Sequence, residues 1–263
     1  MSKEKKTTEK IAETEKPQEV ETQQQKQQQA QKQTLVLVVS RSDSAEVVEL
    51  SIAAWRKNFA DAEIVIVSAK KDGIKTLDFV PSEDKNVNLA NILAAAIADE
   101  EVSEKFILSP IDAFPVNKIG WQNLEILKCK SQLLQNKRLI CLKDLTELAV
   151  TEQLKKENIK DVVNFETGLP VVFEKEKLIE IFQKFNPQKI PTKVISLYLN
   201  YHYSGFSSKP VYFRAGIFAT AVMRKEANLD VVKEGLEVSD FFIINTDGYI
   251  AAGKLIAEKL AND

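Results

Sequence analysis

The chain has 263 residues, and its 36 basic and 38 acidic side chains leave a formal net charge of −2 at pH 7. With nearly equal numbers of both charges, the chain has no strong positive potential that would attract nucleic acid or an anionic membrane. We therefore expect no nucleic-acid partner. The single histidine, His202, excludes any metal or catalytic site that requires two imidazoles. The two cysteines, Cys129 and Cys141, lack the paired spacing of a zinc site or a disulfide framework.

Residues 1–33 consist mainly of Lys, Glu, Thr and Gln and contain no aromatic side chain. Such a segment buries too little apolar surface to fold alone, so we predict a disordered Lys/Glu/Gln-rich tail. Two roles stay open for this tail, a partner-docking arm and a solvated extension. The start of the chain lacks the apolar segment of a signal peptide, and no run approaches the roughly 18 apolar residues of a membrane span. We therefore expect a cytoplasmic protein without a membrane span.

The α/β domain, which we predict over 34–263, begins with an apolar run of branched residues at 35–39. Such a run is typical of a strand that is buried on both faces. A polar loop follows at 40–44, and then four apolar residues recur at helical spacing: Val48, Ile52, Trp55 and Phe59. A second apolar run at 64–67 completes a strand-helix-strand unit, which predicts a parallel sheet with a right-handed crossover.

A third unit follows, with a predicted helix over 89–97 and a short strand at 106–108. Because Pro110 and Pro115 cannot donate ladder hydrogen bonds, we expect the chain to leave the sheet between 109 and 115. Ligands of open α/β sheets bind at the carboxyl ends of the strands. The loops that contain Arg41 and Asp112 should lie there.

The remaining pattern predicts mixed elements. Helices are expected over 145–158 and around the apolar face formed by Leu178, Ile181, Phe182 and Phe185. Short elements are expected at 161–173, 195–198 and 211–213. Residues 241–244 predict a strand, 246–248 a turn, and 250–260 a closing helix.

Common nucleotide-binding fingerprints are absent from the sequence. It contains neither G-x-G-x-x-G nor G-x-x-x-x-G-K-[ST], and it has only eight glycines. A dinucleotide-binding Rossmann domain and a P-loop are therefore disfavoured.

Several collinear stretches between Thr34 and Asn200 resemble a single family. Residues 40–67 run from the end of the first strand through a polar loop and a helix to the second strand. Residues 106–114 are Phe-Ile-Leu-Ser-Pro-Ile-Asp-Ala-Phe, residues 164–170 are Asn-Phe-Glu-Thr-Gly-Leu-Pro, and residues 196–200 are Ser-Leu-Tyr-Leu-Asn. In this order they resemble the GT-A-fold glycosyltransferases of the Stealth-type capsule group and their phage-encoded relatives.

The sequence departs from that family's pattern at two motifs. The family has an Asn-Asp-Asp-x-Phe turn, whereas this chain has Pro110 and Ile111 at the first two positions and keeps Asp112 and Phe114. The family also has Asn-Tyr-Glu-x-His-x-Pro, and Gly168 stands at the position of the histidine. Replacing a carboxylate by isoleucine removes one charge from the expected metal site and should weaken metal binding.

The resemblance implies an α/β, GT-A-like (nucleotide-diphospho-sugar transferase) fold with a mostly parallel sheet flanked by helices. It implies a nucleotide-sugar and a glycan or other hydroxyl acceptor as partners, and a divalent metal, Mn²⁺ or Mg²⁺, held in part by Asp112. The donor-binding residues that it implies are Ser40, Arg41 and Asp43. The catalytic residues that it implies are Glu166, as general base, and Asn200, on the acceptor side with His202.

Two hypotheses about function remain open at this stage. In the first, the protein transfers a sugar or sugar-phosphate from a nucleotide-sugar donor to a hydroxyl acceptor. In the second, it is a catalytically degenerate GT-A-fold protein that serves as a structural or binding component, for example of a phage virion to which the tail attaches it. The second hypothesis treats Glu166 as a turn cap, Asp43 as an ordinary loop residue and His202 as a structural hydrogen-bonding group.

Overall fold

The computed structural model describes residues 33–40, 43–132, 142–203, 211–212 and 218–262. The described residues belong to one compact unit that begins at Gln33. The predicted tail, apart from Gln33, and the residues Arg41 and Cys141 lie outside the described residues. The tail and the domain boundary therefore stay predictions.

The strands are β1 (Thr34–Val38), β2 (Glu63–Val67), β3 (Lys75–Leu77), β4 (Lys105–Pro110), β5 (Ala113–Pro115), β6 (Lys128–Cys129), β7 (Ser131–Gln132), β8 (Val163–Asn164), β9 (Val171–Glu174), β10 (Val211–Tyr212), β11 (Ala219–Val222) and β12 (Phe241–Ile244). The helices are α1 (Ala45–Asn58), α2 (Lys85–Ala98), α3 (Trp121–Glu125), α4 (Leu142–Lys156), α5 (Lys175–Phe185), α6 (Val194–Tyr203), α7 (Leu229–Val238) and α8 (Thr246–Asn262).

The main sheet has the strand order β3-β2-β1-β4-β9. Every neighbouring pair is parallel except β4 and β9, which are antiparallel. A second sheet has the order β11-β12-β5, in which β5 runs antiparallel to β12. The chain thus passes from the main sheet at β4 into the second sheet at β5, and Asp112 lies at this transition.

Helices cover both faces of the main sheet. Leu35 and Leu37 of β1 lie in one buried cluster with Trp55 of α1 and Ile256 of α8. Val36 lies in a second cluster, with residues of α2, α5 and α6. Because side chains alternate along a strand, this is the arrangement that an uninterrupted apolar run predicts. The predicted α/β fold, with a mostly parallel sheet flanked by helices, is confirmed.

Capping side chains set several helix ends. The Ser44 hydroxyl accepts a hydrogen bond from the N–H of Val47 at 3.4 Å, and Asp84 accepts one from the N–H of Asn86 at 2.8 Å. Both satisfy N–H groups that have no partner within the helix. Asn186 ends α5 in a left-handed conformation with a φ of 48°. Within the described residues, no helix is long and apolar enough to cross a membrane.

The chain leaves the main sheet after Pro110, as expected, but the two prolines do not break the strands, because residues 113–115 enter the second sheet at once as β5. Pro110 is the last residue of β4, opposite Val38 of β1, and Pro115 pairs with Phe241 in the second sheet. Ile111 N–H continues the contact with β1 by donating to the carbonyl of Val38 at 2.9 Å. Main-chain groups alternate in direction along a strand, so the nitrogen of Pro110 faces away from β1 and its missing N–H costs no bond there.

The turn expected at 246–248 is wrong, since these residues form the start of α8. The side chain of Asn245 accepts a hydrogen bond from the N–H of Gly248 at 2.8 Å, as an N-terminal cap does. Gly248 is buried, and a Cβ atom there would overlap the main-chain carbonyl of Val222 in β11. Close packing of helix against strand, rather than a turn, explains this glycine.

Candidate functional site

The carboxyl ends of the adjacent strands β1 and β4 bring three of the predicted site residues to one edge of the sheet. Ser40 and Asp43 follow β1, and Asp112 follows β4. The Asp43 carboxylate accepts a hydrogen bond from the Ser40 N–H at 2.7 Å, which holds the loop in a turn. The main-chain carbonyl of Asp112 accepts one from Ile244 N–H at 2.8 Å, so β12 fixes the backbone at this point.

The charge of Asp43 acts on the carboxylate of Asp112. Both side chains are half-buried. Burial, together with the negative charge of Asp43, raises the pKa of Asp112 to about 6. Burial also raises the pKa of Asp43, while the hydrogen bond from Ser40 opposes that rise. A bound cation would relieve both effects, because it would stabilise the ionised form of each group.

The metal-binding capacity of this edge is partial. Among the residues that the structure describes, no three or more His, Cys, Asp or Glu side chains group together as a metal site. Asp43 and Asp112 supply the hard oxygen ligands that Mg²⁺ and Mn²⁺ prefer, but they leave most coordination positions to substrate oxygens and water. Two carboxylates alone are fewer ligands than such an ion takes, so a metal site here would need ligands from elsewhere.

The departures from the family pattern have clear structural positions. Ile111 has 1% of its surface exposed and lies in the apolar cluster beneath α1, so it contributes to the core and not to the edge. Phe114 is fully buried in the same cluster and does not seal Asp112, which stays half-buried. Gly168 is exposed and has a φ of 77°, a conformation that side-chain-bearing residues rarely adopt.

Glu166 caps the beginning of α6. One of its carboxylate oxygens accepts hydrogen bonds from the N–H of Ser196 at 3.0 Å and from the hydroxyl of Ser196 at 3.2 Å. Burial raises the pKa of Glu166, while the Ser196 hydrogen bonds and the charge of Lys193 oppose the rise. The loop of Glu166 precedes β9, whose first residue, Val171, pairs with Leu108 near the end of β4. The topology therefore places this loop at the same edge of the sheet as Asp112.

Asn200 joins α6 to β8. Its carbonyl oxygen accepts a hydrogen bond from Val163 N–H at 2.9 Å, and its amide group donates to the carbonyls of Val163 and Ser196 at 2.8 and 2.6 Å. Ser196 also accepts a hydrogen bond from Phe165 N–H at 3.0 Å. The Asn-Phe-Glu and Ser-Leu-Tyr-Leu-Asn motifs thus contact each other directly. These contacts show what the motif residues hold together, and the catalytic roles of Glu166 and Asn200 stay predictions.

His202 packs inside the same part of the fold. Its Nε2 atom lies 2.9 Å from the carbonyl oxygen of Lys177, and its ring contacts Tyr198 and Tyr201. Burial lowers the pKa of His202, so the neutral ring is favoured at pH 7.

Sequence patterns missed two features of this region. Thr246, at the start of α8, accepts a hydrogen bond from Ser44 N–H at 3.1 Å and so reaches the loop after β1. Lys128 is buried and lines a cavity beside β9. Neither residue lies in a local motif, and each depends on segments that are distant in the chain.

No family model and no curated protein matches the sequence. Among solved structures, the chain is similar to a glycosyltransferase involved in the glycosylation of the major capsid of PBCV-1, with 10% identity and a TM-score of 0.39 over 88% of this chain and 98% of that chain. It is similar to the galactosyltransferase LgtC in complex with donor and acceptor sugar analogues, with 10% identity and a TM-score of 0.41 over 87% and 95% of the two chains. It is also similar to the bifunctional glycosyltransferase WbbM, with 10% identity and a TM-score of 0.36 over 88% and 50%. Likenesses of this size assign no donor, acceptor or activity.

Proposed function

We propose that residues 34–263 form a divergent GT-A-like glycosyltransferase domain, related to the Stealth-type and phage-encoded group, that binds a nucleotide-diphospho-sugar. The observation that carries this proposal is the pair Asp43 and Asp112, half-buried at the carboxyl ends of β1 and β4, where the negative charge of one raises the pKa of the other. The ordered motif resemblance between Thr34 and Asn200 supports the same family. As part of this proposal, the protein is located in the cytoplasm, which is that of the host if the protein is phage-encoded, or in the virion.

The chain's own residues would divide the work at this site. Asp112 would hold Mn²⁺ or Mg²⁺ together with donor diphosphate oxygens, and the ion would supply charge neutralisation for the leaving group. Ser40, Arg41 and Asp43 would contact the donor. In the transfer, the bond from the sugar C1 to the donor phosphate oxygen breaks, a bond from C1 to the acceptor oxygen forms, and Glu166 takes the acceptor proton. A raised pKa makes Glu166 a better proton acceptor than an ordinary carboxylate.

A second function, a degenerate GT-A fold that acts as a structural or virion component, is favoured by one set of contacts. Glu166 and Asn200 both make hydrogen bonds to the backbone that a purely structural residue would make. Ile111 in the core removes a ligand from the metal site. Under this alternative, the protein keeps the fold and the contacts between the motifs but does not bind a donor.

The discriminating experiment is calorimetric titration of the full chain with Mn²⁺ together with UDP-, GDP- and CMP-linked sugars. Wild type is compared with Asp112→Ala and with Asp61→Ala, since Asp61 is an exposed aspartate far from this edge, in the turn before β2. We expect one donor class to bind wild type and Asp61→Ala, and to bind Asp112→Ala at least about tenfold more weakly. Donor binding that is unchanged in Asp112→Ala would contradict the assigned site, and no binding by any pair would favour the degenerate alternative.

Activity is tested separately, because binding alone does not require transfer. A donor that binds is incubated with wild type and with Glu166→Gln, and release of the free nucleotide is measured. Loss of turnover with unchanged donor affinity in Glu166→Gln would support its role as base. Equal turnover in both proteins would remove Glu166 from the mechanism.

A further inference from the structure

A cavity of about 540 Å³ lies beside β9, the last strand of the main sheet. Its walls come from the segment 124–128, the segment 167–174 and the end of α6. Apolar side chains such as Leu124, Leu169 and Leu199 form part of the lining. This volume lies within the range of small-molecule sites, which combine apolar walls with a few polar groups.

Most of the charged groups in this lining are neutralised by neighbours. Lys105 forms an ion pair with Glu125, and Lys177 forms one with Glu174 at 2.9 Å. Pairs of this kind leave little net charge for a ligand to meet.

Lys128 differs from these lysines. Only 7% of its surface is exposed, and within the described part of the chain it forms no ion pair within 4.0 Å. Its ammonium group donates to the main-chain carbonyls of Asn123 at 2.7 Å and of Ile126 at 3.4 Å. Burial lowers the pKa of Lys128 to about 8, and the negative charge of Asp240 partly opposes that shift.

The surroundings of the Lys128 ammonium group favour a cation. Its nitrogen lies 5.8 Å from the centre of the Phe218 ring and 5.9 Å from that of Phe241. Aromatic faces attract cations, and two carbonyl oxygens add to that attraction. An ammonium group has three N–H donors, so two carbonyl bonds leave one donor for a ligand.

We propose that this cavity binds a small molecule that carries a carboxylate, with the carboxylate on the Lys128 ammonium group and an apolar portion against Leu124 and Leu169. A carboxylate supplies a direct ion-pair partner inside a site of low polarity, where a charge-assisted hydrogen bond is strong. Asp43 and Asp112 are not among the residues that line this cavity, and the inference does not depend on donor binding.

The test uses matched pairs of a carboxylic acid and its amide, which share shape and differ in charge: benzoate with benzamide, cyclohexanecarboxylate with its amide, and glucuronate with glucuronamide. Saturation-transfer NMR and titration measure their affinity for wild type, Lys128→Met and Lys118→Met. Lys118 is an exposed lysine that does not line the cavity, so it controls for general loss of charge. We expect at least one acid to bind wild type with a Kd of about 1 mM or tighter, and about tenfold more tightly than its amide.

Lys128→Met should abolish the preference for acid over amide, and Lys118→Met should keep it. A second measurement needs only wild type: because the ammonium form of Lys128 is lost as the pH rises through about 8, acid binding should weaken above that pH while amide binding stays constant. The inference is overturned if no acid binds, if acid and amide bind equally, if Lys128→Met keeps the preference, or if wild-type acid affinity does not change with pH.

Discussion

Removing the charge of Asp112 should stabilise the fold while it weakens donor binding. The pKa of this side chain is raised from 3.8 to about 6, so the folded state holds its proton more tightly than the unfolded state does. A shift of about 2 units corresponds to roughly 3 kcal/mol, and partial solvent exposure reduces the expected effect to about 1–3 kcal/mol. Wild type should therefore lose this stability as the pH rises from 3.8 through about 6. Asp112→Asn, which has no charge to bury, should not lose it.

The assay is urea unfolding of wild type, Asp112→Asn and the control Asp61→Asn from about pH 4 to about pH 8, with a chelator present to remove divalent ions. At about pH 8, the free energy of unfolding of Asp112→Asn should exceed that of wild type. At about pH 4, the two free energies should be equal. When Asp43 is also replaced by Asn, the difference in stability between Asp and Asn at position 112 should become smaller, because the charge of Asp43 contributes to the raised pKa of Asp112. A difference that is independent of pH, or a less stable Asp112→Asn at about pH 8, would refute this account of the edge.

Three further predictions concern stability and are checked by urea unfolding. Gly248→Ala should destabilise the protein by about 1–3 kcal/mol, because the added Cβ overlaps the main chain of β11. Gly253→Ala should be neutral or stabilising, because its added Cβ meets a movable tyrosine ring at 2.6 Å. Equal effects of the two substitutions would contradict this packing. Asn200→Ala should cost about 2–4 kcal/mol because it leaves main-chain groups of β8 unpaired, and a neutral effect would show that water replaces the side chain. Lys193→Met should cost about 3–5 kcal/mol by stranding its buried partner Glu147, 2.5 Å away, and adding Glu147→Leu should recover most of that loss.

The positions of the first strands and helices follow from local patterns in the sequence. The apolar run at 35–39 predicted β1, and the spacing of Ile52 and Trp55 predicted the buried face of α1. These predictions succeed because burial on one or both faces imposes a period that a short segment displays by itself. Because ligands of open α/β sheets bind at the carboxyl ends of the strands, the sequence also predicts that Asp112 lies beside the loop after β1.

The chain does leave the main sheet after Pro110, but both Pro110 and Pro115 are strand residues. A proline disrupts a strand only where its missing N–H is needed, and that depends on which neighbour lies on each side. Pro110 stands where β1 requires no donor from it. Similarly, Gly248 suggested a turn, although close contact with β11 is what requires a glycine there.

By itself, the sequence determined the order of the elements, the burial of the central strands and the candidate residues Ser40, Asp43 and Asp112. The tertiary structure decided which of the candidates lie together, that Glu166 caps α6, and that Lys128 lines a cavity and forms no ion pair within the described part of the chain. The physical reason is distance along the chain. Periodicity and capping act over a few residues, whereas a raised pKa, a cap from another segment or a cavity wall depends on groups that only folding brings within a few ångströms.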